Sequence, residues 1–253
     1  MMIDWSTAFA WSTALPVAAV FLAAGFCKGV VGLGLPIFAV SLLTHIIGIR
    51  EAIYITLIPA MLTSLAQAVA GPAFVTSLKR LWPILVVGGV AIMISTQLGM
   101  KGDKRIIAFI VGTLIMIYAL ISLLNVRFPP PGRNEKYLSP LFGLLGGAVG
   151  GMSGMYAMPV VPYLQTLGLK RDELIQSIAI WFVTGAGIMV SVVGINGAYT
   201  RPLVVLTVIA SVTSLFGVWL GGMARGKMSE KVFVKTFLVA FFILGAGIFY
   251  RAF

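Results

Sequence analysis

The chain has 253 residues, of which 60% are hydrophobic and 10% charged, with a formal net charge of +11. No single water-soluble core hides that much apolar surface, so the composition specifies a polytopic membrane protein in contact with a lipid bilayer. Lys and Arg cluster in short segments between apolar runs, as the positive-inside rule requires, which removes nucleic acid as the partner. One cysteine, Cys27, excludes an internal disulfide and a two-thiol electron shuttle and reads as a small packing residue.

In chain order, the N-terminus MMIDWSTAFAWSTALP lacks the positive n-region of a cleaved signal and reads as a retained lead-in, with Trp5 and Trp11 at the interface. The first apolar run covers residues 15–44 and is interrupted by Gly25, Gly29, Gly32, Gly34 and Pro36. As one helix it would be about 45 Å long, against a hydrocarbon core of about 30 Å. It must tilt steeply or fold into two half-membrane arms, and Pro36 favours a helix restart. Three ordinary spans follow at 52–69, 81–98 and 106–124, separated by Lys79 and Arg80 and then by Lys101 to Arg105. VRFPPPGRNEKY reads as a stiff extended connector.

The plan then repeats. A second run at 138–167 is broken by Gly147, Gly150, Gly151 and Gly154, with Pro159 and Pro162 beyond, and spans at 174–193, 202–221 and 232–250 complete it. An offset of about 122 residues places Gly25 on Gly147, Gly29 on Gly151 and Gly32 on Gly154. The expectation is one all-α membrane domain over 1–253, with repeat one at 13–124, a connector at 125–137 and repeat two at 138–253.

If both broken runs cross the membrane, there are eight spans, the repeats are parallel, and Lys plus Arg divide ten to seven between the sides. If both are re-entrant, each half has three full spans, the repeats are inverted, and the division is eleven to six. The more lopsided count favours inverted repeats, and either arrangement places the N-terminus outside.

Backbone that leaves helical geometry in lipid survives only against protein or a water-filled cavity, so matched breaks point to a binding site. Glycine amides and the N-terminal ends of restarted helices favour an anion there, although the same glycines also suit close helix packing. Lys28 is the basic residue well inside an apolar run, and its counterpart is Gly150. It either holds the anion or snorkels to an interface.

Gly29, Gly32, Gly34, Gly151 and Gly154 would offer backbone, and Ser153 and Tyr156 hydroxyls, though Tyr156 serves equally as packing. Gln176, Ser177 and Trp181 open the next span on a face able to reach the second break. Gln67 and Gln97 suit interhelical hydrogen bonds as well as a site. The acids lie at span ends or in loops, so coupling or gating would fall to His45, Arg50, Glu51, Arg171 or Asp172. No metal cluster, nucleophile triad or phosphate loop is present, so an enzyme, a cofactor and a metal are not expected.

The duplicated glycine-rich segment leading to a proline, with a basic–acidic pair after each (Arg50–Glu51, Arg171–Asp172), resembles the TauE/SafE family of sulfite and organosulfonate exporters. The family's fuller glycine cluster is replaced here by VGLGLP and MSGMYAMP. The resemblance implies alternating-access export of a small sulfur anion, such as sulfite or a sulfoacetate-like sulfonate, through a bacterial inner membrane. It also allows a homo-oligomer. Transport of another solute or a cation, and a redox or structural membrane subunit, are the other classes the residues permit.

Overall fold

A computed structural model describes residues 11–32, 34–124, 129–224 and 230–250; the expected interfacial Trp5 lies outside them, and so do the side chains of Trp11 and Arg171. All regular structure among these residues is helical: α1 (Trp11–Val31), α2 (Leu35–Ile47), α3 (Ile49–Val69), α4 (Phe74–Lys101), α5 (Lys104–Leu123), a 3₁₀ turn (Gly132–Asn134), α6 (Glu135–Ser153), α7 (Val160–Thr166), α8 (Arg171–Ile195), α9 (Arg201–Ala224) and α10 (Glu230–Tyr250). Six of them, α1, α3, α4, α5, α8 and α9, are long and apolar enough to cross a bilayer. Within them the hydroxyls of Thr56, Thr96, Thr207 and Ser211 bond the carbonyl four residues back, so these polar groups are satisfied inside their own helices.

Several boundaries differ from the sequence reading. Lys79 and Arg80 lie inside α4 rather than in a loop, and the turn before Phe74 is made of Ala70, Gly71, Pro72 and Ala73. The expected connector gives up Glu135 to Tyr137 to the first turn of α6. Arg171 and Asp172 open α8, where the Glu173 carboxylate accepts the Lys170 amide at 3.3 Å, the returning half of a capping box.

The largest difference concerns the glycines. α1 stays helical through Gly25 and Gly29 to Val31, and α6 through Gly147, Gly150 and Gly151 to Ser153. The helix is broken only where backbone turns left-handed, at Gly32 (φ 93°), Gly34 (φ 105°) and Gly154 (φ 71°). Gly25 and Gly29 instead let α9 approach: a Cβ on them would lie 2.2 Å from the Ser214 carbonyl oxygen and 2.4 Å from that of Val218. Gly143 and Gly147 do the same for α4, at 2.7 Å from the Ile84 oxygen and 2.3 Å from the Gly88 oxygen. A four-residue stripe of small side chains is how helices come together in lipid, where no hydrophobic force separates helix from solvent.

The first helix of each half therefore packs along the fourth of the other, α1 on α9 and α6 on α4, each pair running parallel. The crossed pairs α3–α8 and α5–α10 run antiparallel. Gln176, near the start of α8, bonds Ala68 and Gly71 at the end of α3, and Gly112 and Ile115 of α5 meet Phe249 and Gly245 of α10. α2 begins level with Gln67, late in α3, and ends one residue before α3 starts, so it turns back along α3. A buried apolar cluster containing Ile53, Ile92, Tyr156 and Trp181 joins both halves around the breaks.

Candidate functional site

The two breaks meet. Gly34, Pro36 and Ile37 from the first and Gly154 to Ala157 from the second, with Phe182, enclose a void of about 10 Å³, room for roughly one water. Their backbone is largely satisfied. At the first break, Gly32 donates to the Lys28 carbonyl at 2.7 Å and its own carbonyl accepts Gln67 Nε2 at 3.2 Å. At the second, Gly154 donates to the Gly150 carbonyl at 2.7 Å. Ser153 Oγ donates to the Val149 carbonyl at 2.7 Å and accepts the Met155 amide at 3.1 Å, closing the end of α6. Trp181 Nε1 donates to the Tyr156 carbonyl at 2.6 Å, while its ring lies against Gly88 and Gly146.

Two buried hydroxyls, one at the second break and one early in α8, have unused capacity. The Tyr156 and Ser177 side chains are each 1% exposed, and neither oxygen has a hydrogen-bond partner. The Tyr156 ring is held edge-on to Phe182, at 5.4 Å between centroids, and Gly150 and Gly185 leave room for it. A buried hydroxyl without a partner costs stability.

Lys28 is 1% exposed, and its Nζ donates to Thr63 Oγ1 at 3.0 Å and Ser64 Oγ at 2.6 Å on α3. Both acceptors are neutral hydroxyls, and an ammonium has a third proton to give. Lys28 and Gly29 line a cavity of about 450 Å³ that also takes in Gln67, the 70–72 turn, Val218 and Gly222. Asp172, exposed at the start of α8, lies on the same cavity. An amine at the wall of an open, partly polar cavity has the chemistry that an anion small enough to enter would need.

Gln176 lines this cavity, but its side chain is fully engaged: Nε2 donates to the Ala68 and Gly71 carbonyls at 2.9 and 2.7 Å, and Oε1 accepts the Ala73 amide at 2.8 Å. It holds the α3–α4 turn in shape. Thr63 and Ser64 escaped the sequence reading because hydroxyls in spanning helices ordinarily bond their own helix. The available signal was the Thr63–Gln67 spacing of four, which puts both on the face of α3 turned to α1.

The expected gating residues are dispersed. His45 is exposed in the last turn of α2, and Glu51 is half-buried in the first turn of α3. Arg171 opens α8. Arg50 donates through Nη2 to the Gly102 carbonyl, its Nε is buried without a partner, and it lines a cleft of about 10 Å³ with Gly151 and Met152, at the opposite end of α3 from Lys28. Gln97 is exposed on α4 rather than bonded between helices. Cys27 is buried, as a packing residue should be. No group of three potential metal ligands occurs among the described residues.

The family model for the sulfite exporter TauE/SafE matches residues 17–248. No curated protein and no solved structure matches the chain. The six apolar helices, the Lys28 cavity and a match over nearly the whole sequence lead to one assignment: the chain belongs to the sulfite exporter TauE/SafE family, whose members are membrane transporters and not enzymes.

Proposed function

We propose that this transporter exports a small sulfur oxyanion, sulfite or a short sulfonate such as sulfoacetate, by alternating access around the two helix breaks. The observation that carries the reading is Lys28, a buried lysine with two neutral partners facing an open cavity. Its ammonium would bind one anion oxygen, and the backbone near Gly32, Gly34 and Gly154 would take others as the breaks open. Tyr156 and Ser177, whose hydroxyls lack partners here, are further donors for the anion as it passes.

The halves are read as inverted repeats. Their counterpart helices α3 and α8, and α5 and α10, run antiparallel, which supports a two-fold axis in the membrane plane. The Lys28 cavity opens at the end of the fold that carries Lys79, Arg80 and Lys170, the basic side and so the cytoplasmic one. This is the loading side for an exporter in a bacterial inner membrane.

A thermal-shift series on the purified protein tests the proposal, with sulfite, sulfoacetate, taurine, sulfate, a dicarboxylate and alkali cations. A ligand at 100 times its Kd adds about 2.7 kcal/mol of stability. Saturable stabilisation by the sulfur anions is expected. Stabilisation by cations alone, or by no anion, sinks it.

A further inference from the structure

The open cavity at Lys28 and the closed cleft at Arg50 lie at opposite ends of α3, with Arg50 and Gln67 about 25 Å apart along the helix. They are built from the same positions of the two halves. The 122-residue offset seen in the glycines carries Gly29 onto Gly151, Gln67 onto Met189 and Val218 onto Thr96, from the wall of one to the wall of the other. It also carries Ile175 onto Ile53, Gln176 onto Tyr54 and Gly222 onto Met100. Two unrelated surface dents would not share walls at one fixed offset. The remaining pair of the seven differs in charge: Asp172 on the open cavity corresponds to Arg50 on the closed one.

We infer that the cleft at Arg50 is the closed outward vestibule of the transporter and contains a second anion contact, the Arg50 guanidinium. This rests on the alternating-access reading above. When the inward cavity of about 450 Å³ closes, the cleft of about 10 Å³ takes its place as the open one. The side-chain chemistry suits an exit. Arg50 spends one nitrogen on the Gly102 carbonyl, and its buried Nε has no partner, so a donor waits on this path for an oxyanion. The inward mouth has a carboxylate, Asp172, at the matching place, which repels an anion rather than binding it, so attraction on that side falls to Lys28. The anion thus passes from an ammonium served by hydroxyls to a guanidinium near the far surface.

The test uses Met152→Cys on a Cys27→Ser background in right-side-out membrane vesicles. A membrane-impermeant maleimide is added outside, with sulfoacetate inside to drive turnover; sulfite is avoided because it consumes the reagent. The expected result is modification of Met152→Cys from outside, several-fold faster with sulfoacetate than without. No external modification in vesicles that still transport overturns the assignment, and so does a rate indifferent to sulfoacetate. Should Met152→Cys fail to transport, Met100→Cys on the same wall takes its place.

The second arm measures Arg50→Gln, which should raise the half-saturating external sulfoacetate concentration roughly tenfold, with Arg50→Lys recovering most of it. An unchanged concentration removes Arg50 as an anion contact. Sulfoacetate binding by the purified protein, and its weakening by about tenfold or more on Lys28→Met, test the underlying reading separately; both can hold while position 152 stays unreachable from outside.

Discussion

Lys28→Met is the sharpest perturbation, because it keeps the length and apolar stem of the side chain and removes only the ammonium. In the unliganded protein that ammonium is buried and has two hydrogen bonds to neutral hydroxyls, so its charge is incompletely compensated. Removing it leaves Thr63 bonded to the Pro59 carbonyl at 2.7 Å, so at least that hydroxyl stays satisfied. The melting temperature of the unliganded protein should therefore hold or rise.

The anion, in contrast, loses a charge-assisted hydrogen bond, worth about 1.5–3 kcal/mol. That is a loss of affinity of between roughly tenfold and somewhat over a hundredfold. Calorimetric titration of sulfoacetate into both proteins, beside a thermal melt of each, reads the two effects separately. A fall in melting temperature with unchanged affinity would refute the reasoning, because Lys28 would then be a structural tie between α1 and α3.

Three further outcomes follow from the packing. Gly147→Ala places a methyl 2.3 Å from the Gly88 carbonyl oxygen, so α6 must move off α4, and a loss of about 1–3 kcal/mol is expected in a denaturation measurement, while the exposed Gly222→Ala has open space and should be near neutral. Gln176→Leu abandons the Ala68 and Gly71 carbonyls and the Ala73 amide, costing about 1–3 kcal/mol and loosening the α3–α4 turn, which hydrogen exchange at Ala73 would report. Glu135 forms an ion pair with Arg80 at 2.8 Å, and that hydrogen bond holds its carboxyl below the ordinary glutamate range. Because the folded-state pKa is the lower one, the contribution is complete above the unfolded glutamate range near pH 4.3 and is lost as pH falls through the folded value. With both side chains about a third exposed, it amounts to at most about 1 kcal/mol, and Glu135→Gln should flatten the acid limb of a melting curve by no more than that.

Much of the architecture was legible because a bilayer permits few solutions. Apolar runs of spanning length are at home only in lipid, whereas helix breaks and a lysine among apolar residues are expensive there, and each has a place in the fold. The glycines were harder. Gly25 and Gly29, like Gly143 and Gly147, recur at a spacing of four, which serves a helix contact as well as a ligand, and their partners Ser214 and Gly88 lie in the opposite halves of the chain. Only Gly32, Gly34 and Gly154 leave the helix, and a string of glycines does not say which of its members will.

Gln176 was legible as a polar residue facing the site, but its three backbone partners depend on a turn more than a hundred residues earlier. The Arg50 cleft was legible only as a basic residue beside an acidic one. Its meaning comes from the matching walls of the two cavities, which exist only once the halves are packed.

The central claim is that a sulfur anion crosses the membrane by way of the Lys28 site. Its most direct test is counterflow of labelled sulfoacetate in proteoliposomes, comparing the unaltered protein with Lys28→Met at equal reconstituted amounts. The account predicts a saturable flux with the lysine present and, at sub-saturating sulfoacetate, a flux about tenfold or more lower without it. Equal, saturable flux in both would contradict it.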